Sequence, residues 1–282
     1  MSSVKPFTPE NVRHYPKVEL HCHLDGSISL SAIRQMAAVT NSPLPADDAD
    51  LRQLVTAPLE TTSLIDYLQR FQVVTDLMQT PEQLRIAGYD MVQTAAEDGL
   101  IYLEARFAPA IFTAQGLTVK EAIAATLDGL HAGTREFGIP VNAIVCAMRD
   151  QPLADCIAVF KTAADFADQG VVGLDFAGDE ANHPAIDLAP AVKAGLATGL
   201  PFTLHAGEAG PVDNVAVSLT LGARRIGHGV HMSGFPATIN QAKRAGATIE
   251  MCPTSNVQTK AVADYAAFPL AEFLSAGLKV TL

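Results

Sequence analysis

The chain has 282 residues, 49% apolar and 17% charged, with a formal net charge of −11. That balance excludes a disordered tail protein, and a chain this long buries about 75% of its extended surface without disulfide staples. The negative charge opposes a phosphate backbone, which excludes nucleic acid as a partner, and no apolar run is long enough to cross a bilayer.

The first predicted strand is Lys17–His23. Residues 28–100 follow, far too long for a simple crossover, and read as a helical insertion. Leu64, Leu68 and Phe71 share one helical face there, and Thr80-Pro81-Glu82 opens another helix. The insertion leaves the C-terminal end of the first strand, so it either walls a pocket or merely covers the barrel mouth. Further apolar runs predict strands at Ile101–Phe107, Val141–Ala147, Val171–Phe176, Phe202–Ala206, Arg225–His228, Thr248–Cys252 and Leu278–Leu282. Between them, Thr118-Val-Lys-Glu121 is a capping box closed by Gly138. Leu153, Cys156, Val159, Phe160, Ala163 and Phe166 form one apolar stripe stopped by Gly170. Pro211, Pro236 and Pro269 fall where a first helical turn tolerates proline. Eight strands alternating with helices predict one α/β domain over residues 1–282, a (β/α)8 TIM barrel, with a doubly wound open sheet as the alternative.

Four cysteines, at 22, 146, 156 and 252, include no Cys-x-x-Cys pair, and Met1–Pro6 lacks a signal-peptide core. A reducing, cytoplasmic setting is expected.

Chemistry concentrates in Glu19-Leu-His21-Cys-His23-Leu-Asp25-Gly26. Period-two alternation puts His21 and His23 on one strand face, toward the barrel interior, and turns Cys22 away as a packed core thiol. Two imidazoles so placed either chelate a metal or are simply hydrogen-bonded. His205 and His228 end two further predicted strands, so four of the eight histidines lie at C-terminal strand ends, which favours the metal. His14, His131, His183 and His231 fall on helices or loops and read as surface or packing residues. A metal with an open coordination position activates water, and Glu208 beside His205 is a candidate general acid, or else a carboxylate facing a helix dipole. His228 either orients the water or is a core histidine.

The chain resembles the adenosine deaminase family of metal-dependent amidohydrolases. The resemblance rests on Val18-Glu-Leu-His21-Cys-His23-Leu-Asp25-Gly26-Ser27, Tyr102-Leu-Glu104-Ala-Arg106-Phe-Ala-Pro109, Gly173-Leu-Asp175-Phe-Ala-Gly178-Asp179-Glu180, Leu204-His205-Ala-Gly-Glu208, Ile226-Gly-His228-Gly229 and Glu250-Met-Cys-Pro-Thr-Ser-Asn256, in family order. It implies one Zn²⁺ per chain on His21, His23 and His205, with Glu208 protonating purine N1 and His228 holding the attacking hydroxide. It also implies a Gly178 N–H contact to N3 and Asp25 holding the ribose 5′-hydroxyl. The implied reaction converts adenosine, and deoxyadenosine, to inosine and ammonia in purine salvage, with a small purine nucleoside as the partner.

In the family the eighth strand runs into two adjacent aspartates and a proline; this sequence reaches Lys279-Val-Thr-Leu282. The expectation is a truncated chain with its last strand-helix unit incomplete, so those two aspartates have no number here. Adenine deaminases are the sibling alternative; the family pattern there has Glu where Asp25 stands. Metal phosphoesterases share His-x-His openings but need more metal ligands. A barrel without chemistry is the non-enzymatic reading. Deaminases built on Pro-Cys-x-x-Cys are excluded.

Overall fold

The structure, a computed structural model, describes residues 8, 11, 12, 15–58 and 60–282. His14 lies outside the described residues. Eight strands form: β1 (Lys17–His23), β2 (Leu100–Phe107), β3 (Val141–Met148), β4 (Val171–Ala177), β5 (Thr203–Ala206), β6 (Arg225–His228), β7 (Thr248–Glu250) and β8 (Lys279–Thr281). The helices are α1 (Leu30–Thr40), α2 (Asp48–Val55), α3 (Leu64–Leu68), α4 (Gln72–Asp76), α5 (Pro81–Glu97), α6 (Val119–Phe137), α7 (Leu153–Ala164), α8 (Ala189–Leu196), α9 (Val212–Leu221), α10 (Pro236–Ala245), α11 (Pro253–Gln258) and α12 (Leu270–Ser275).

All strand pairs are parallel, in the orders β1-β2-β3-β4 and β5-β6-β7-β8, and a Leu174–Phe202 bridge links the two runs. The order never reverses, whereas a doubly wound sheet must reverse at its switch point. The architecture is therefore the (β/α)8 barrel, and the open-sheet alternative falls. Strand residues such as Ala105, Phe107, Val145, Leu174, Phe176, Leu204 and Ile226 lie in one core with the helices' apolar faces. Each strand's C-terminal end then points to one rim, where a barrel gathers its chemistry.

Local signals explain most boundaries. Thr118 and Glu121 cap α6 reciprocally, and Gly138 ends it at φ 74°. Thr80 caps α5, with Pro81 in its first turn. Pro236 sits in the first turn of α10, but Pro211 and Pro269 are N-caps, one step earlier than expected. The stripe of α7 ends sooner than Gly170, because Asp165 N–H donates to Thr162 O and tightens the chain into a 3₁₀ turn over 167–169. β7 is shorter than Thr248–Cys252: Pro253 opens α11 and Cys252 becomes its N-cap. Between β1 and β2 the chain is helical, from α1 to α5, and no described helix is long and apolar enough to cross a membrane.

Candidate active site

The C-terminal ends of β1, β5 and β6 bring four imidazoles together. Ring centroids lie 5.5 Å apart for His21–His23, 4.7 Å for His21–His205, 4.8 Å for His21–His228 and 5.1 Å for both His23–His205 and His205–His228. The period-two reading of β1 thus holds for its histidines despite a register shift between Glu19 and Cys22. Cys22 packs on the core as expected but also borders the cavity, with Sγ 3.1 Å from Ser27 Oγ.

His21, His23 and His205 offer nitrogens that all lie within 4.8 Å of one another. His23 Nε2 and His205 Nε2 are 3.1 Å apart. Two nitrogens on one tetrahedral zinc, each about 2.0–2.1 Å from it, sit about 3.3 Å apart, so the pair fits a metal with little movement. Burial, aided by the Arg106 charge, lowers all three imidazole pKa values well below their usual value, leaving neutral rings with free lone pairs. His21 Nδ1 donates to Glu250 Oε2 at 2.9 Å, which frees Nε2 for the cluster. His205 Nδ1 lies 2.8 Å from Asp175 Oδ2 but off the ring N–H direction, a close charge contact without a hydrogen bond. A second donor set, His21, His228 and Cys252, also falls within 4.8 Å. It is the poorer one: burial and Glu208 raise the Cys252 pKa, so the thiol keeps its proton.

Glu208 follows β5 and is 5% exposed. Its Oε1 accepts from Thr259 Oγ1 at 3.0 Å, and its Oε2 lies 3.3 Å from His228 Nε2. His228 has φ 66°, a conformation that side chains rarely adopt and that is retained where it aims a group. Asn256, fully buried on α11, places Nδ2 2.9 Å from His228 Nδ1. With the amide donor there, the imidazole proton sits on Nε2, facing Glu208.

His21, His23, His205, Glu208 and His228 border a cavity of about 580 Å³, whose lining also includes Asp25 and Gly178. Gly178 has φ 99°, and a Cβ there would lie 3.0 Å from the Met148 methyl, so the bare backbone approaches the cavity. Burial pushes the Asp25 carboxyl up to about 6. Leu64, Tyr67, Leu68 and Phe71 from the insertion form one wall. Among the described residues no lysine or arginine lines the cavity.

Beneath the rim, Arg106 is fully buried, donating to Asp175 Oδ2 at 2.8 Å, to Glu250 Oε2 at 2.6 Å and to Leu20 O at 2.9 Å. Glu19 and Lys279 form no ion pair among the described residues: Lys279 is exposed, and Glu19 Oε1 accepts from the His21 backbone N–H at 2.8 Å. Arg225 extends the network, 2.5 Å from both Glu104 Oε2 and Glu250 Oε1. Sequence reasoning had missed Arg225, Asn256 and Thr259 as site residues. A charge opening a barrel strand was the available signal for Arg225; none marked Thr259.

A parallel (β/α)8 barrel with histidines from β1 and β5 clustered at its C-terminal rim is the arrangement of the metal-dependent amidohydrolases. The chain belongs to the adenosine deaminase family, whose model matches residues 16–282. It is 44% identical over 273 residues to an adenosine deaminase of Lacticaseibacillus casei (strain BL23), covering 97% of this chain and 80% of that protein. Two solved structures share the fold: an adenine deaminase from Arthrobacter aurescens (TM-score 0.85, 24% identity, 94% of this chain and 80% of the other) and a zinc-bound amidohydrolase from Burkholderia ambifaria (TM-score 0.85, 22% identity, 99% and 78%).

Proposed function

We propose that this chain hydrolytically deaminates adenosine and deoxyadenosine. Water adds at purine C6, the bond from C6 to the exocyclic nitrogen breaks, and inosine (or deoxyinosine) and ammonia leave. The observation that carries this is the convergence of Glu208, His228 and three neutral imidazoles on one cavity, in a chain 44% identical to an adenosine deaminase.

One zinc ion held by His21, His23 and His205 would supply Lewis-acid chemistry that lowers the pKa of water toward 7. The chain's own residues do the rest. Glu208, protonated, donates to purine N1 and draws electrons from C6. His228, with its proton on Nε2, donates to the incoming oxygen and holds it over the ring. The Gly178 N–H donates to N3. The Asp25 carboxylate accepts from the ribose 5′-hydroxyl. Tyr67, Leu68 and Phe71 cover the site and keep out bulk water. Asp25 and Asp76 border the cavity, and no described lysine or arginine lines it, which disfavours a nucleotide phosphate and favours a neutral nucleoside. The reaction belongs to purine salvage on this reading, and four unpaired cysteines fit a reducing, cytoplasmic setting for it.

The test is ammonia release from adenosine, deoxyadenosine, adenine and adenosine monophosphate by the purified chain. Turnover of both nucleosides and little of the base or the nucleotide is expected. Glu208→Gln should lose about 10²–10⁴-fold in kcat while retaining metal. A preference for adenine or the nucleotide would overturn the substrate; near-parental kcat in Glu208→Gln would overturn the acid.

A further inference from the structure

We infer that Glu180 is a positioning residue for the proton donor Glu208, acting through the main chain of residues 207–210. This rests on the reading of Glu208 as the acid. Glu180 follows β4 and is 2% exposed. Its Oε1 accepts from Gly207 N–H at 2.6 Å and from Asn214 Nδ2 at 3.0 Å. Its Oε2 accepts from the N–H groups of Glu208 at 2.9 Å, Ala209 at 2.9 Å and Gly210 at 3.0 Å. One buried carboxylate thus gathers four consecutive backbone donors of the segment that bears the acid.

Consecutive N–H groups aimed at one point form an anion nest. Here the anion is a side chain of the neighbouring strand's loop, so the turn's shape depends on that side chain. The fit is close: a Cβ on Gly210 would lie 2.9 Å from Glu180 Cγ and 2.3 Å from Asn214 Nδ2. Burial works against the Glu180 charge, but Arg149 and the backbone donors outweigh it and hold the carboxyl below its usual range. The turn is clamped from the other side as well. His231 donates from its backbone N–H to Gly207 O at 3.0 Å, and its Nδ1 lies 2.7 Å from Gly210 O. Among the described residues, the short polar contacts of the Glu208 carboxylate are with Thr259 and His228. Its aim toward the cavity therefore depends on the backbone beneath it. Glu180 also stands two residues after Gly178, so the same short loop links both proposed purine contacts.

The experiment is a double-mutant cycle of Glu180→Gln and Glu208→Gln, read by kcat, KM, metal content and thermal midpoint. A glutamine keeps the volume but turns an N–H₂ toward N–H donors, so the turn must shift. A displacement of about 1 Å costs roughly 10²-fold in rate. Glu180→Gln should lower kcat by about that factor, with KM changed by less than about 3-fold and metal retained. In the Glu208→Gln background the further loss should vanish, because there is no proton left to aim. Affinity for a 1-deazapurine nucleoside, which lacks N1, should stay unchanged. Glu180→Asp keeps the charge with a shorter reach and should restore part of the rate, which covers the case of a Gln variant that folds poorly. Losses that multiply in the double variant, or equal loss of the 1-deaza ligand, would show a merely structural role. Near-parental kcat in Glu208→Gln alone would instead overturn the acid assignment, and this proposal with it.

Discussion

Arg106 and Glu250 meet at 2.6 Å with no exposure of either side chain, and the same Glu250 oxygen accepts a hydrogen bond from His21 Nδ1–H. Burial works against the Arg106 charge, but Glu250 and Asp175 outweigh it and hold the guanidinium protonated. The guanidinium in turn helps lower the pKa values of His21 and His205. One buried cation thus compensates the carboxylates beside the histidines and adds to burial in keeping those histidines neutral. The site's electrostatics are built into the barrel floor before any ligand arrives.

Removing that cation leaves Asp175 buried without its guanidinium partner, and Glu250 with Arg225 as its remaining cation among the described residues, beside the donors His21 and Thr203. Arg106→Leu should cost about 3–5 kcal/mol of stability, the usual cost of breaking a buried pair from one side. For a domain of this size the thermal midpoint should fall by roughly 6–20 °C. Arg106→Lys should recover only part, since an ammonium cannot span two carboxylates in a fixed plane. Scanning calorimetry decides, and a midpoint within about 2 °C of the parent in Arg106→Leu would refute the role.

Metal content tests the imidazole cluster directly. The parent should carry about one divalent ion per chain by elemental analysis. His21→Ala and His205→Ala should each fall well below that, and a chelator should strip the parent with loss of activity. Full occupancy in both variants would remove these residues from the ligand set.

The barrel and most of the site were legible because they follow from local rules. Apolar runs alternating with helical stretches marked the strands, and alternation put His21 and His23 on one face. The rest depends on partners far away in sequence. Glu104 meets Arg225 across 121 positions, and Asn256 meets His228 across 28, so neither pairing leaves a local pattern. Cys252 was read as a strand residue, yet it caps α11 beside His21 and His228, because the proline after it ends β7.

On the proposed reading, Asp25 serves sugar recognition and not base chemistry. Its carboxyl borders the cavity two residues beyond His23, the last residue of β1. Asp25→Ala should weaken kcat/KM for adenosine by about 10-fold or more, the value of one charged hydrogen bond. Any residual adenine turnover should be nearly unchanged. Parallel loss on both substrates, with metal loss alongside, would place Asp25 in support of the metal cluster instead.

Glu180 makes a prediction about acid stability. Its carboxyl is held below the ordinary value of 4.5 in the folded chain, because Arg149 and the backbone donors outweigh burial. A depressed folded pKa means that the unfolded chain takes up the proton first as pH falls. The stabilisation is therefore complete above about pH 5 and is lost as pH drops through the folded value. Glu180→Gln lacks this titration. The stability gap between parent and Glu180→Gln should be constant from pH 7 to about pH 5 and should narrow below pH 4.5. The other acidic groups of the fold titrate alike in both proteins and cancel in the difference. Urea unfolding of the pair at pH 7, 5 and 4 measures it. A gap that stays constant at pH 4 would mean that the carboxyl titrates alike in the folded and unfolded chains, and that its charge adds nothing to the clamp on residues 207–210.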